Sequence, residues 1–406
     1  MRIVFQATKS ISQDDIHTYH LNKEINEETY LKLLKHKDKA LHPEQYQQHV
    51  DNLNLLYSVE VAEGEDIDVL KSSLNQHLPI KKLYVERHYK ENNIDPVETE
   101  ETRASDPTTN PYFLGQVYLR DDALGVNAEY SYTRTGGSGE QIRLVLIDGG
   151  INPHEDLENR DITFINNESN GSDHGTHCMS IAGAEDNNIG IIGVSPKSDL
   201  YFGSVEGKDV WTNVIDYISP GDVIFSPRQN EYRPLITNAT RRAEFRILTA
   251  YGAIIVIIAG NSAENLDEYQ DGDGRYILNR NSDDFEETGV IIAGGCNADA
   301  KRTRRYNYGS CIDAFALAHR VLLAQGDVDP HHYGILNGTS YACPIIAGVC
   351  GNIQSFLKAH GKAPLDSAGM RELFLDEALN KKGEREDTAM MPDLKLILKH
   401  LDATYL

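Results

Sequence analysis

The chain has 406 residues, a formal charge of -23, 40% hydrophobic residues and 25% charged residues. Single hydrophobic cores stop growing at about 250 to 300 residues, so one large domain and a smaller one are expected; near-average composition excludes a disordered, collagen-like or fibrous protein. An acidic balance this strong also argues against nucleic acid or an anionic membrane surface as partner, since both need clustered Lys and Arg.

The opening segment, MRIVFQATKSISQDD, has neither a long apolar region nor a small-residue cleavage site, and no stretch reaches the roughly 18 apolar residues of a membrane span. The chain is therefore expected to be unexported and cytoplasmic, with no membrane partner. Its five cysteines, Cys178, Cys296, Cys311, Cys343 and Cys350, are odd in number and show no CxxC spacing, which predicts free thiols in a reducing compartment.

One or two helices are expected between Glu27 and Leu56. Leu55 to Ala62 then reads as a strand, Ile67, Leu70 and Leu74 recur at helical spacing until Pro79, and Ile80 to Arg87 reads as a second strand. This is a small α+β unit. Glu91 to Asn110, polar and carrying Pro96 and Pro107, has the composition of a linker, so the expected domains are 1–108 and 109–406. Beyond it the apolar runs Arg143 to Ile147, Ile254 to Ile258 and Val290 to Ala293 alternate with helical stretches, the pattern of buried parallel strands in a three-layer α/β sandwich. Candidate helices at Asp366 to Leu379 and Pro392 to Leu401 close the domain.

Four residues carry candidate chemistry. Asp148 ends an apolar strand before Gly149 and Gly150, which puts a carboxylate at the C-terminal edge of a parallel sheet, where open α/β sheets build their sites. His174 lies in SDHGTHCMSIAG, where Ser172 or Asp173 caps a helix whose small residues permit close packing. His177, three residues on, lacks the third ligand of a zinc site. Ser340 lies in LNGTSYACPIIAG at the start of a helix, where its backbone N–H faces any oxyanion that forms. Asn261 follows the strand IIVIIAG and delivers an amide donor to the same edge.

Together these segments resemble the subtilisin-like serine proteases, in the order Asp148-Gly-Gly, His174-Gly-Thr-His, Gly260-Asn261 and Gly338-Thr-Ser340-Tyr-Ala-Cys-Pro344. The resemblance implies a serine endopeptidase with a mainly parallel central sheet. Ser340 would attack the peptide carbonyl, His174 would move the proton, Asp148 would orient the imidazole, and Asn261 with the Ser340 N–H would hold the oxyanion. It further implies a protein or peptide substrate, no cofactor for the chemistry, and a structural calcium ion for which Asp156 is the matching ligand. The strand-helix-strand of the N-terminal unit resembles propeptide domains, which act as intramolecular inhibitors and folding chaperones.

The departures bear on specificity. Where relatives carry Ser-Leu-Gly-Gly along the substrate cleft, this chain has Ser226-Pro227-Arg228-Gln229. Arg228 is expected to narrow the cleft and add a cation, Pro227 to remove a donor for substrate pairing, and Ser226 and Gly260 to line the remainder. Restricted specificity follows, with maturation of one dedicated precursor peptide as the alternative and a peptide-binding pseudoprotease as the reading from another class. The acidic stretch Asp267 to Arg275 lacks the distal Glu of a calcium loop and reads as a solvated insertion.

Overall fold

The computed structural model describes residues 1–86, 91–92, 110–121, 125–207, 209–297, 305–327, 329–382 and 390–405. Apart from 91–92 and Asn110, the expected linker, with the boundary at 108, lies outside these residues.

The centre is a seven-stranded, wholly parallel sheet in the order Ala314–Leu317, Ile291–Cys296, Ile254–Ile258, Val223–Ser226, Arg143–Asp148, Asp199–Ser204, Thr163–Phe164. Successive side chains of a strand point to opposite faces. Accordingly Leu144, Leu146, Phe225, Val256 and Ile258 join one apolar core, while Val145, Ile147, Ile224, Ile255 and Ile257 join the other. Because both faces are covered, these strands are continuous apolar runs instead of alternating ones.

The first core holds the helices His174–Gly183 and Thr339–Ala359, both nearly all buried. The second holds Val210–Asn213 and Ala239–Tyr251, with Trp211 edge-on to Phe245 at 4.8 Å between ring centroids. Asn238 starts the latter helix by accepting from Arg241 N at 2.9 Å, and Gly252, at φ 113°, ends it in a left-handed turn that L side chains avoid. At the C-terminus the helices Ser367–Leu375 and Leu394–Tyr405 occupy the two candidate stretches. No helix among the described residues is long and apolar enough to cross a membrane.

The N-terminal residues form a four-stranded antiparallel sheet in the order Asn22–Lys23, Leu56–Glu60, Arg2–Ala7, Ile80–Glu86. One of its two inner strands, Arg2–Ala7, comes from the opening segment, where the sequence predicts no element. Ile3 and Phe5 pack with Leu74 of the helix Ile67–His77 on one face. On the other face Val4 joins Tyr46, Val50 and Leu53 of the helix Pro43–Asn54, and this cluster is continuous with the second core of the large sheet. The two units meet on the helix Ala239–Tyr251. Glu86 accepts from Ala239 N and from Asn238 Nδ2, while Leu41 N and His42 N donate to Tyr251 O and Ala250 O at 2.8 and 3.0 Å. One unit thus satisfies the unpaired N–H groups at one end of a helix in the other, and unpaired carbonyls at the opposite end.

Candidate active site

Three strand ends and two helix starts converge at the C-terminal edge of the sheet. Asp148 is fully buried; its Oδ2 lies 2.7 Å from His174 Nδ1, and its Oδ1 accepts from Gly149 N at 2.7 Å. The approach of the histidine helix needs Gly175, since a Cβ there would stand 2.1 Å from Gly150 O. Burial by itself would raise the Asp148 carboxyl, but the neighbouring His174 and Arg228 outweigh it and hold the group below its ordinary value. The Asp148 carboxylate is therefore ionised where it meets the imidazole.

Ser340 stands in the first turn of the helix Thr339–Ala359. Pro344 falls in the second turn, and having no N–H it leaves Ser340 O without its helical donor. Cys178, from the histidine helix, supplies a substitute: its Sγ donates to Ser340 O at 3.5 Å. The thiol is thus a link between the helices that carry His174 and Ser340, and burial pushes its pKa far up.

Asn261 is fixed by two devices. Its Oδ1 accepts from Thr339 N at 3.0 Å, which ties it to the residue before Ser340. Gly260 has φ 99°, and a Cβ there would lie 2.0 Å from Tyr232 O, so the chain turns tightly into Asn261. The fully buried Asn307 completes the loop, donating to Tyr232 O and Ala259 O and accepting from the backbone of Ser262 and Glu264. Nothing in the sequence around Asn307 signals this role, because its partners are brought together only by the fold.

Ser226, Pro227, Arg228 and Gln229 lie differently from expectation. The Ser226 hydroxyl donates to Ile147 O at 2.7 Å, into the sheet and not toward the cleft. Pro227 O accepts from Ser340 Oγ at 3.3 Å, while His174 Nε2 has no hydrogen-bond partner among the described residues. Gln229 Oε1 accepts from Asn261 Nδ2 at 3.3 Å. Arg228 is only 4% exposed, with Nη1 3.6 Å from Asp148 Oδ1. The expected cation on the cleft wall is thereby corrected, since the guanidinium is drawn inward by a buried carboxylate. Gln229 and Asn230 also pair, antiparallel, with Asn92 and Glu91.

The family model described as the Subtilase family matches residues 139–390, which contain all of these residues except the 91–92 strand. The chain belongs to the subtilase family. Thermitase of Thermoactinomyces vulgaris is 27% identical over 258 residues, covering 61% of this chain and 85% of that protein. Subtilisin BL of Lederbergia lenta is 26% identical over 239 residues, covering 56% and 81%. A protease structure from Pseudoalteromonas arctica superposes with a TM-score of 0.54 at 20% identity, over 72% of this chain and 98% of that one. The structure of the prenylagaramide maturation protease PagA does so with 0.52 at 17% identity, over 68% and 98%. These likenesses bear out the expected subtilisin-like, mainly parallel α/β fold and a hydrolase of the serine peptidase type.

The calcium ligand suggested for this subtilase does not fit its surroundings. Asp156 is fully buried; its Oδ2 accepts from Ile191 N at 3.2 Å, and Oδ1 has no partner. The Tyr333 hydroxyl, which also donates to Glu155 Oε1 at 2.7 Å, packs against the Gly190 turn beside this carboxylate, and burial pushes the Asp156 carboxyl up to about 7. A hard cation needs six or more oxygens around it, whereas a tyrosine hydroxyl and the Ile191 N–H stand against this carboxylate. Among the described residues the one cluster of three ligand-type side chains is Asp148, His174 and Cys178, whose imidazole nitrogen is already engaged by the carboxylate. His177 pairs with Asp173 at 3.0 Å. In the acidic stretch, Asp271 is clasped by Arg275, and Asp267 accepts from Ser310, so that segment is internally bonded and not merely solvated.

Proposed function

We propose that this subtilase is a serine endopeptidase of restricted specificity acting through an acyl-enzyme on Ser340. Ser340 Oγ attacks the carbonyl carbon as His174 Nε2 takes its proton; the imidazolium then protonates the leaving amine, and water repeats the sequence to release the acid. Asp148 fixes the Nδ1–H tautomer. Asn261 Nδ2 and the Ser340 N–H receive the oxyanion, at a helix N-terminus that favours negative charge. The observation that carries this reading is the 2.7 Å contact of a buried Asp148 with His174, at the same edge as the Asn261 to Thr339 tie that sets an amide beside Ser340. Ser340→Ala is expected to abolish both peptide hydrolysis and fluorophosphonate labelling. Asn261→Ala keeps the labelling and loses on the order of 100-fold in turnover. Labelling that persists in Ser340→Ala would reject the nucleophile, and an enzyme with no labelling at all would favour the pseudoprotease reading.

Restricted specificity is supported by the Ser226 to Gln229 segment, whose polar groups are spent on Ser340, Asp148 and Asn261. The N-terminal unit is the proposed intramolecular inhibitor and chaperone: its last strand leads toward residues 91–92, which pair along Gln229 and Asn230 where a substrate strand would lie. Maturation of one dedicated precursor is the second reading, favoured by the same pairing and by the structural likeness to PagA. Five buried free cysteines support a reducing, intracellular setting.

A further inference from the structure

Arg228 occupies a place for which the reaction has no need of a cation. Its side chain is almost wholly buried, and its Nη1 stands 3.6 Å from Asp148 Oδ1, the oxygen that does not contact His174. Gly149 N donates to that same oxygen at 2.7 Å. The guanidinium is protonated at every accessible pH. Asp148 therefore has a permanent positive charge on one side and an imidazole that gains charge only during the reaction on the other.

We propose that Arg228 is a positioning residue of the triad, clamping the second oxygen of Asp148 and offsetting part of its charge so that His174 stays neutral to lower pH than Asp148 alone would allow. An uncompensated buried carboxylate stabilises a neighbouring imidazolium, and a cation beyond the carboxylate opposes it. The consequence has two faces. The base remains ready in mildly acidic solution, while the imidazolium formed in the transition state receives less stabilisation, which lowers the ceiling on turnover.

The other groups around the pair do not supply this charge. Tyr341, from the serine helix, has its ring 6.2 Å from that of His174; Cys178 comes from the histidine helix and Cys343 from the serine helix, and burial pushes all three up and keeps them neutral. His177, 6.3 Å away ring to ring, is paired with Asp173 in a separate unit. Arg228 is the cation that meets the Asp148 carboxylate from the strand side.

The inference rests on His174 as the base of the proposed endopeptidase, and the experiment keeps the two apart. In the full chain, Arg228→Gln and Arg228→Lys are compared with the parent by the acid limb of kcat/KM and by the ring-nitrogen NMR titration of His174, with His177→Gln used for assignment. The titration reports ring charge whether or not the protein cleaves peptides. Arg228→Gln is expected to move both midpoints upward by about one pH unit, and Arg228→Lys to return them toward the parent value. An unmoved His174 midpoint in a folded Arg228→Gln, or a Lys variant that shifts as far as the Gln variant, overturns the proposal. If Arg228→Gln does not fold, Arg228→Met is measured in its place: the same upward shift is expected, and an unmoved His174 midpoint overturns the proposal. A titration that behaves as expected in a protein without peptidase activity would reject the functional reading and leave the electrostatic one standing.

Discussion

Asp156 shows how a family residue changes meaning with its neighbours. Where a calcium ligand would need a charged carboxylate among oxygens, this Asp is buried beside Tyr333 and Glu155, and its carboxyl is pushed up to about 7, with burial the largest cause. The folded state then holds a proton that the unfolded chain releases near pH 4. Stability contributed by that proton is complete below about pH 4, falls as pH rises, and is lost by about pH 7. Asp156→Asn removes the titrating group while keeping an acceptor for Ile191 N, so it is expected to raise Tm by about 5 °C at pH 8, with the gain shrinking toward pH 5. Calorimetry at the two pH values checks it; a destabilised variant at pH 8 would mean that the carboxylate is ionised and held by partners.

At the scale of elements, one short segment controls three groups of the candidate site. Pro227 O holds the Ser340 hydroxyl, Arg228 meets Asp148, and Gln229 Oε1 holds the Asn261 amide. The next residues, Asn230 to Arg233, form a tight turn with Glu231 at φ 46° and Tyr232 at φ 68°, positions that favour Asn or Gly and cost about 1 kcal/mol or more when occupied by other side chains. The segment thus ends in a strained turn, and its geometry ties up the proposed nucleophile and the proposed oxyanion donor at once. Gln229→Ala frees the Asn261 amide at the expense of one hydrogen bond of about 1 kcal/mol, so turnover on a short peptide is expected to rise severalfold with KM little changed. Steady-state kinetics test this. A fall in kcat would mean that Gln229 orients Asn261 instead of occupying it.

Over the whole molecule, the two units are coupled by a pair of caps on the helix Ala239–Tyr251. Glu86, only 7% exposed, holds the N-terminal end together with Arg2, whose Nε is 2.9 Å from Glu86 Oε2. Removing the carboxylate in Glu86→Ala leaves Ala239 N without its acceptor and Arg2 without a partner at that site, a loss of about 1 to 2 kcal/mol. If the N-terminal unit restricts the cleft as proposed, the variant is expected to show a lower Tm and faster fluorophosphonate labelling. Unchanged labelling with a lowered Tm would assign the contact to stability alone.

Read by itself, the sequence determined the fold class and pointed to four residues that the fold brings to one edge of the sheet. Apolar runs such as IIVII have one stable place, between two helical layers, and Asp148, His174, Asn261 and Ser340 each stand at a strand end or helix start that local chemistry marks. Motif order then sufficed to assemble them. What only the tertiary structure decided is where side chains with long reach find their partners. Arg228 reads as a cation on the cleft wall until a buried carboxylate from another strand is 3.6 Å away, and Asp156 reads as a metal ligand until Tyr333, distant in sequence, packs against the turn beside it. Arg2–Ala7 shows the same limit for an element: six residues near the chain start become a central strand only because Leu56–Glu60 and Ile80–Glu86 pair on either side. Backbone periodicity is a local property and is legible in sequence. Charge compensation, orphaned carbonyls and strand pairing depend on contacts across scores of residues, and only the folded chain brings those together.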